Sequence, residues 1–533
     1  MKNCRNNTWS LAIMLFMFSG LFLIALAITF GDESPAGRYT DDWVRVISGG
    51  FNDTSNIGIN NFVEYNGYLY ASVYNTRTGP AIWRTLDGLN WEKVRGDEFG
   101  GSEASSMILF VFKNKLFAGI HNGVEGASIW ASGDGVKFDQ VVSKGLGDKD
   151  NIGIGTPIVF RDKLLVPVQN GYVGSIKDGA EIWSSEDGLA FKRIVTRGLG
   201  EPSNILLRFF PTPFKDYIYL GTYNPVKGGE IWRSKDGVEW EKVVEGGFGD
   251  PGNTMIHPQV IFKDRIYSVT NNLNGLSILR SEDGKNWETV VKNGLNYGPY
   301  RNVYGLLTMI DENLYLTTFS TPSVGAFQLW KTSDGENWVQ IGENGFGNDN
   351  NHGAGLFMAS DGLYYLSTLN GVDGCEAWRS KNSEEWQIIF KEERGYKTHI
   401  GCGLGEFKNY LYMYIYDNER GIEIWRYSTP LVITSTIETY NTASPTTRQT
   451  TPSPTITRTS ITETSKKLTS QTLPAQTVTA TYTQTSATEA RIGWGITEYV
   501  IVASIVAAAG IALYFILKIK LLARPLPPPP PPS

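Results

Sequence analysis

Ile82-Trp83-Arg84-Thr85-Leu86-Asp87-Gly88-Leu89-Asn90-Trp91 decides the fold, because close copies of it follow down the chain. Ser132-Gly133-Asp134-Gly135 leads to Phe138, and Ser185-Glu186-Asp187-Gly188 leads to Phe191. Ser234-Lys235-Asp236-Gly237 leads to Trp240, Ser281-Glu282-Asp283-Gly284 to Trp287 and Thr332-Ser333-Asp334-Gly335 to Trp338. A worn copy runs from Ser380 to Trp386, and a last Ile424-Trp425-Arg426 has no turn behind it. Measured from Trp83, the equivalents are Trp130, Trp183, Trp232, Leu279, Trp330, Trp378 and Trp425, a step of 47 to 53 residues. Repetition on that scale marks a solenoid, a propeller or an array.

Within one step the pattern predicts four short strands. Tyr68-Leu69-Tyr70-Ala71-Ser72-Val73-Tyr74 lies between Asn-Gly and Gly-Pro turn signals, and the first unit reads as strands at 57–65, 68–74, 81–85 and 91–94. Four antiparallel strands per unit predict an all-β fold, a β-propeller of about eight four-stranded blades, with seven as the count if one unit is irregular. The eighth unit offers strands at 399–405, 410–416 and 422–426 but no fourth. Near the front of the chain, Trp43-Val44-Arg45-Val46-Ile47-Ser48-Gly49-Gly50-Phe51 repeats the pattern of Trp240-Glu241-Lys242-Val243-Val244-Glu245-Gly246-Gly247-Phe248. The N-terminal strand is therefore expected to complete the last blade and cover two sheet edges.

The Asp-Gly turn has its own physics. A turn Asp accepts hydrogen bonds from nearby backbone N–H groups, and Gly takes the positive φ that other residues resist. Asp87, Asp134, Asp187, Asp236, Asp283 and Asp334 are accordingly expected to be structural. The pattern resembles the Asp-box, or BNR, repeat of sialidase-like propellers, Ser-x-Asp-x-Gly-x-Thr-Trp. Here Asp and Gly are contiguous and the aromatic arrives one residue sooner. The resemblance implies a propeller scaffold that serves enzymes and binders alike. It does not extend to sialidase chemistry: those enzymes have six blades and an Arg-Ile-Pro motif, which this chain lacks.

The flanks read differently. Residues 1–28 carry Lys2 and Arg5, an apolar run and Ala25-Leu26-Ala27, which predicts a secretory signal peptide. The propeller is expected over 42–427 and a Thr/Ser/Pro-rich disordered stalk over 428–492. Residues 499–517 are free of charge and long enough for one transmembrane helix. Lys518, Lys520 and Arg524 follow, so 518–533 is expected to be a cytoplasmic Pro-rich tail and the N-terminal side extracellular. Cys375 and Cys402, in neighbouring units, could form a disulfide outside the cell. Asn52-Asp53-Thr54 is a glycosylation sequon in the propeller. A net charge of −6 without a basic stripe argues against nucleic acid as a partner.

A ligand site is expected where the first strands enter the channel. His257, His352 and His399 fall at or near the start of those strands, and Arg208, Arg301 and Tyr304 fall in the same stretches. Because they are not repeated in every unit, these six are the ligand-binding candidates. The plainer reading is that they line a wet polar channel. Asn151, Asn204, Asn302 and Asn351 recur, as do Glu181, Glu230, Glu376 and Glu423, which suits structural bonding better than a ring of carboxylates around a cation. No metal spacing, phosphate loop or Ser nucleophile elbow is present, so no cofactor or metal is expected. The leading functional expectation is a membrane-anchored, non-catalytic surface module that binds glycan or protein on the channel face. A tethered carbohydrate-active enzyme and a structural cell-envelope component are the alternatives.

Overall fold

The computed structural model describes residues 42–432, apart from 96–98, 173–174, 296–303, 321–324 and 392–398. The segments expected to be signal, membrane span and tail, and all but the first residues of the expected stalk, lie outside the described residues. Among the described residues, no helix is long and apolar enough to cross a membrane.

The all-β expectation holds. The chain forms antiparallel sheets, and its helical segments are single turns of three or four residues. Among the described residues seven hydrogen-bonded sheets are present, and the eight-stranded one holds two units, so the repeats give eight units. Unit one has strands Asn56–Tyr65, Tyr68–Asn75, Ala81–Thr85 and Trp91–Arg95, within one residue of the prediction. In unit three the first strand is broken into Asn151–Ile154 and Ile158–Phe160, both paired with Lys163–Asn170.

Unit eight takes its fourth strand from the other end of the chain. Trp43–Ile47 pairs antiparallel with Glu423–Tyr427, with Arg45 opposite Trp425. Arg193 and Lys242 stand opposite Trp183 and Trp232 in the same way. Each of these cations sits over the Trp ring, at 5.4 Å for Arg45, 5.8 Å for Arg193 and 5.0 Å for Lys242. Each also bonds a strand-three carboxylate: Glu423, Glu181 and Glu230 respectively. The N-terminal segment thus reproduces a fourth strand residue by residue.

Those glutamates are structural, as their recurrence suggested. Glu181 accepts from Asn151 Nδ2 at 2.9 Å and from Trp183 Nε1 at 2.8 Å. Glu230 does the same with Asn204 and Trp232, and Glu376 with Asn351 and Trp378. The same Asn side chains donate to the carbonyls of Gly145, Gly198 and Gly345. Those glycines open turns in which even Leu146, Leu199 and Phe346 take a φ of 54° to 63°, a conformation that needs such support. Asn302 lies outside the described residues.

The Asp turns form as expected. Asp236 Oδ1 accepts from the amides of Val238 and Glu239 at 2.8 and 2.9 Å, while the Gly237 amide donates to Ser234 Oγ at 2.8 Å. The other five repeat this pattern. The Gly has a second duty. A Cβ on Gly88, Gly135, Gly284 or Gly335 would overlap the hydroxyl of Tyr412, Tyr70, Tyr219 or Tyr267, each from the preceding unit.

Burial follows the same plan. Eight apolar clusters are each shared by two consecutive units, and one of them joins unit eight to unit one through Tyr412, Tyr414, Ile57 and Phe62. Cys375 and Cys402 are joined in a disulfide with Cα atoms 5.7 Å apart, between units seven and eight. Trp43 packs in the same cluster and donates from Nε1 to the Ile389 carbonyl at 2.9 Å.

Candidate functional site

The first strands of all eight units line one cavity of about 480 Å³. That volume is within the usual range for small-molecule sites. Its wall is mainly apolar, with Met107, Ile108, Leu206, Phe209, Leu356 and Leu404 among the contributors. Neither Asp nor Glu is among the described residues that line it. The wet polar channel expected from the sequence is therefore corrected. Strand alternation gives each first strand apolar residues on both faces to pack the neighbouring units, and the ends of several reach the central space.

Polar side chains from several units reach the cavity, among them Asn61, His121, Gln169 and Thr317, and the one cation among the described residues that line it, Arg208, stands at the seam of units four and five. In Leu206–Phe214, Leu207 and Phe209 pack with unit three and Phe210 packs with unit five, so alternation turns Arg208 toward unit five. Arg208 lies opposite Gly221, and a Cβ on Gly221 would collide with the Ile256 carbonyl and with His257 Cβ. The missing side chain lets the strand of His257 approach until Thr222 pairs with Ile256, which joins the two units into one sheet. His257 and Arg208 are neighbours as a result, and both line the cavity. Tyr304 is fully buried behind them, 3.3 Å from Gln259 Nε2, which donates to its hydroxyl. Gln259 also bonds the backbone of Gly305 and Leu307, tying unit five to unit six.

Burial sets the electrostatics here. It holds the His257 imidazole down to about 3, with the Arg208 charge acting in the same direction, so the ring is neutral. Burial also lowers the Arg208 guanidinium to about 10, and it stays charged near neutrality. The Tyr304 phenol is pushed up by burial. Arg208 Nε and His257 Nδ1 have no hydrogen-bond partner among the described residues.

The remaining candidates separate. His352 is buried but does not line the cavity, and burial lowers it to about 4. His399 opens the first strand of unit eight, in register with Asp417. Arg301 lies outside the described residues. One site residue was missed: His121, at the end of Lys115–Asn122, lines the cavity with Nδ1 2.7 Å from Ser105 Oγ. Burial lowers it to about 3. Ser105 is itself buried and is not among the lining residues. The equivalents of His121 in units four to seven are Tyr223, Asn271, Phe319 and Leu369, so no recurring residue type marks the position.

No family model matches the chain, and no curated protein does. Solved structures do. A post-proline cleaving enzyme from Rickettsia typhi is 12% identical with a TM-score of 0.41, covering 69% of this chain and 58% of its own. A puromycin-hydrolyzing peptidase from Mycobacterium tuberculosis is 10% identical with a TM-score of 0.41, covering 72% and 62%. An acylaminoacyl peptidase from Pyrococcus horikoshii is 12% identical with a TM-score of 0.35, covering 67% and 57%. The chain thus spans about three fifths of the length of these enzymes.

The expectation of a non-catalytic binder of glycan or protein is corrected by these findings. Several of the solved structures similar to the chain are peptidases by name, and one is a family 117 glycoside hydrolase from Zobellia galactanivorans. No carboxylate pair for glycoside hydrolysis is present among the described residues that line the cavity. At 10–12% identity no residue role passes from those enzymes to this chain.

Proposed function

We propose that the eight units form a closed eight-bladed β-propeller whose central cavity takes a small, mainly apolar molecule. The observation that carries this reading is the single cavity to which every unit contributes first-strand residues, walled mainly by Leu, Ile, Met and Phe. Support for closure comes from the eight shared clusters and from Arg45, which stands where a fourth-strand cation belongs. Burying an apolar ligand against such a wall yields about 25 cal/mol per Å² of apolar surface removed from water. We place the repeated Asp turns in the Asp-box class, as devices that seat a unit on the one before, against a Tyr in four cases and against Phe117 and Leu165 in the other two.

Gly355 supplies the test. It faces the cavity, and a Cβ there would meet only Ser367 Oγ, at 3.7 Å. Gly355→Phe should fill the space without disturbing the fold. The neutral probe N-phenyl-1-naphthylamine should show saturable fluorescence enhancement with the wild-type chain and at least a tenfold weaker response with Gly355→Phe. Equal enhancement in both would contradict the reading.

The uncharged run at 499–517 also supports a membrane anchor that displays the propeller outside the cell. Protease treatment of intact cells should then release propeller fragments. Full protection until lysis would refute that placement.

A further inference from the structure

This inference rests on the cavity being the ligand site and adds the chemistry of what enters it. Arg208 is the one charged side chain among the described residues that line the cavity. Three other sheltered arginines are paired, Arg84 with Glu92, Arg233 with Glu241, and Arg280 with Glu288 and Glu336, while Arg426, whose Nε is also buried without a hydrogen bond, lies over the Tyr410 ring and not on the cavity. Arg208 has no carboxylate partner among the described residues, and its Nε is buried without a hydrogen bond. Beside it His257 is 7% exposed, and its Nδ1 is likewise without a partner among the described residues.

A guanidinium left unpaired against apolar walls is costly, and a bound anion would relieve that cost. One fixed positive charge beside neutral imidazoles suits a single negative charge. A dianionic phosphate would bring a surplus charge into an apolar space. A planar carboxylate matches the guanidinium fork through two parallel hydrogen bonds. The apolar walls then suit the rest of the molecule.

We propose that the cavity binds a linear apolar monocarboxylate, with its carboxylate on Arg208 beside His257 and its apolar chain along the Leu and Phe wall. This chemistry has two sources, a fatty acid or the C-terminus of a short apolar peptide.

The test is displacement of N-phenyl-1-naphthylamine from the full chain by matched pairs. One pair is decanoate and decanamide, and the other is acetyl-Leu-Leu-Leu as free acid and as amide. The acid of at least one pair should displace the probe tenfold or more better than its amide, and the responding pair identifies the source. Arg208→Gln should abolish that preference while leaving amide binding within about twofold, and Arg208→Lys should retain part of it. Equal displacement by acid and amide in the wild type would overturn the inference and leave the apolar cavity standing. Failure of every compound against a probe that does bind would overturn it equally. Failure of the probe itself would overturn the cavity reading along with it.

Discussion

Lowering the pH from 7 to 5 should destabilise this fold through its buried histidines. His121 and His257 are held down to about 3 and His352 to about 4, each chiefly by burial, against an ordinary value of 6.5. The folded state therefore keeps all three neutral at pH 5, whereas the unfolded chain protonates them. Below pH 6.5 the unfolded state binds more protons, so stability falls with pH until the folded values near 3 to 4 are reached. At pH 5 the gap from 6.5 is 1.5 units. At about 1.36 kcal/mol per unit, that amounts to about 2 kcal/mol per histidine and about 6 kcal/mol for the three. A domain typically has about 5–15 kcal/mol in total, so the effect is large. Urea unfolding followed by tryptophan fluorescence at pH 7 and pH 5 measures it. The single variants His121→Gln, His257→Gln and His352→Gln should each shrink the difference between the two pH values by about 2 kcal/mol, whatever they do to absolute stability. A wild-type difference below about 1 kcal/mol, or one that no variant alters, would refute the reasoning.

Two further outcomes concern how the units join. Gly221→Ala should destabilise by about 3 kcal/mol or more, because its Cβ has no room beside Ile256 and His257, and the loss should show in the urea midpoint. A neutral result would mean that units four and five do not approach as described. Trp43→Ala should cost about 3–5 kcal/mol, since Trp43 is 6% exposed and also gives up its bond to Ile389. If chemical denaturation showed no change, the N-terminal strand would not be holding the last unit.

Much of this architecture was legible because the chain carries its own internal copies. The Asp-Gly turns, the strand positions in unit one and the fourth strand supplied by Trp43–Ile47 all follow from aligning one unit on the next. Glu181 and Asn151 were legible as structural for the same reason, since recurrence in equivalent places signals a shared backbone need. The cavity wall was not legible. Leu206, Leu356 and Leu404 have the periodicity of ordinary core residues, and only the arrangement of eight first strands around one space sets them on a cavity. Arg208 and His257 were picked out separately, but their meeting depends on Gly221, a small residue that no motif marks. His352 shows the opposite failure: it holds a similar place in its repeat yet lies off the cavity wall. His121 was not legible because it lies near the end of a second strand, away from the first strands that form most of the cavity wall.

The most direct test of the account is a crystal structure of the protein soaked with 10-bromodecanoate, located by bromine anomalous scattering. The account predicts one bromine peak inside the cavity, near Leu356 and Leu404, with the carboxylate within hydrogen-bond distance of Arg208. Bromine found only on the outer loops, over a cavity holding ordered water, would contradict it.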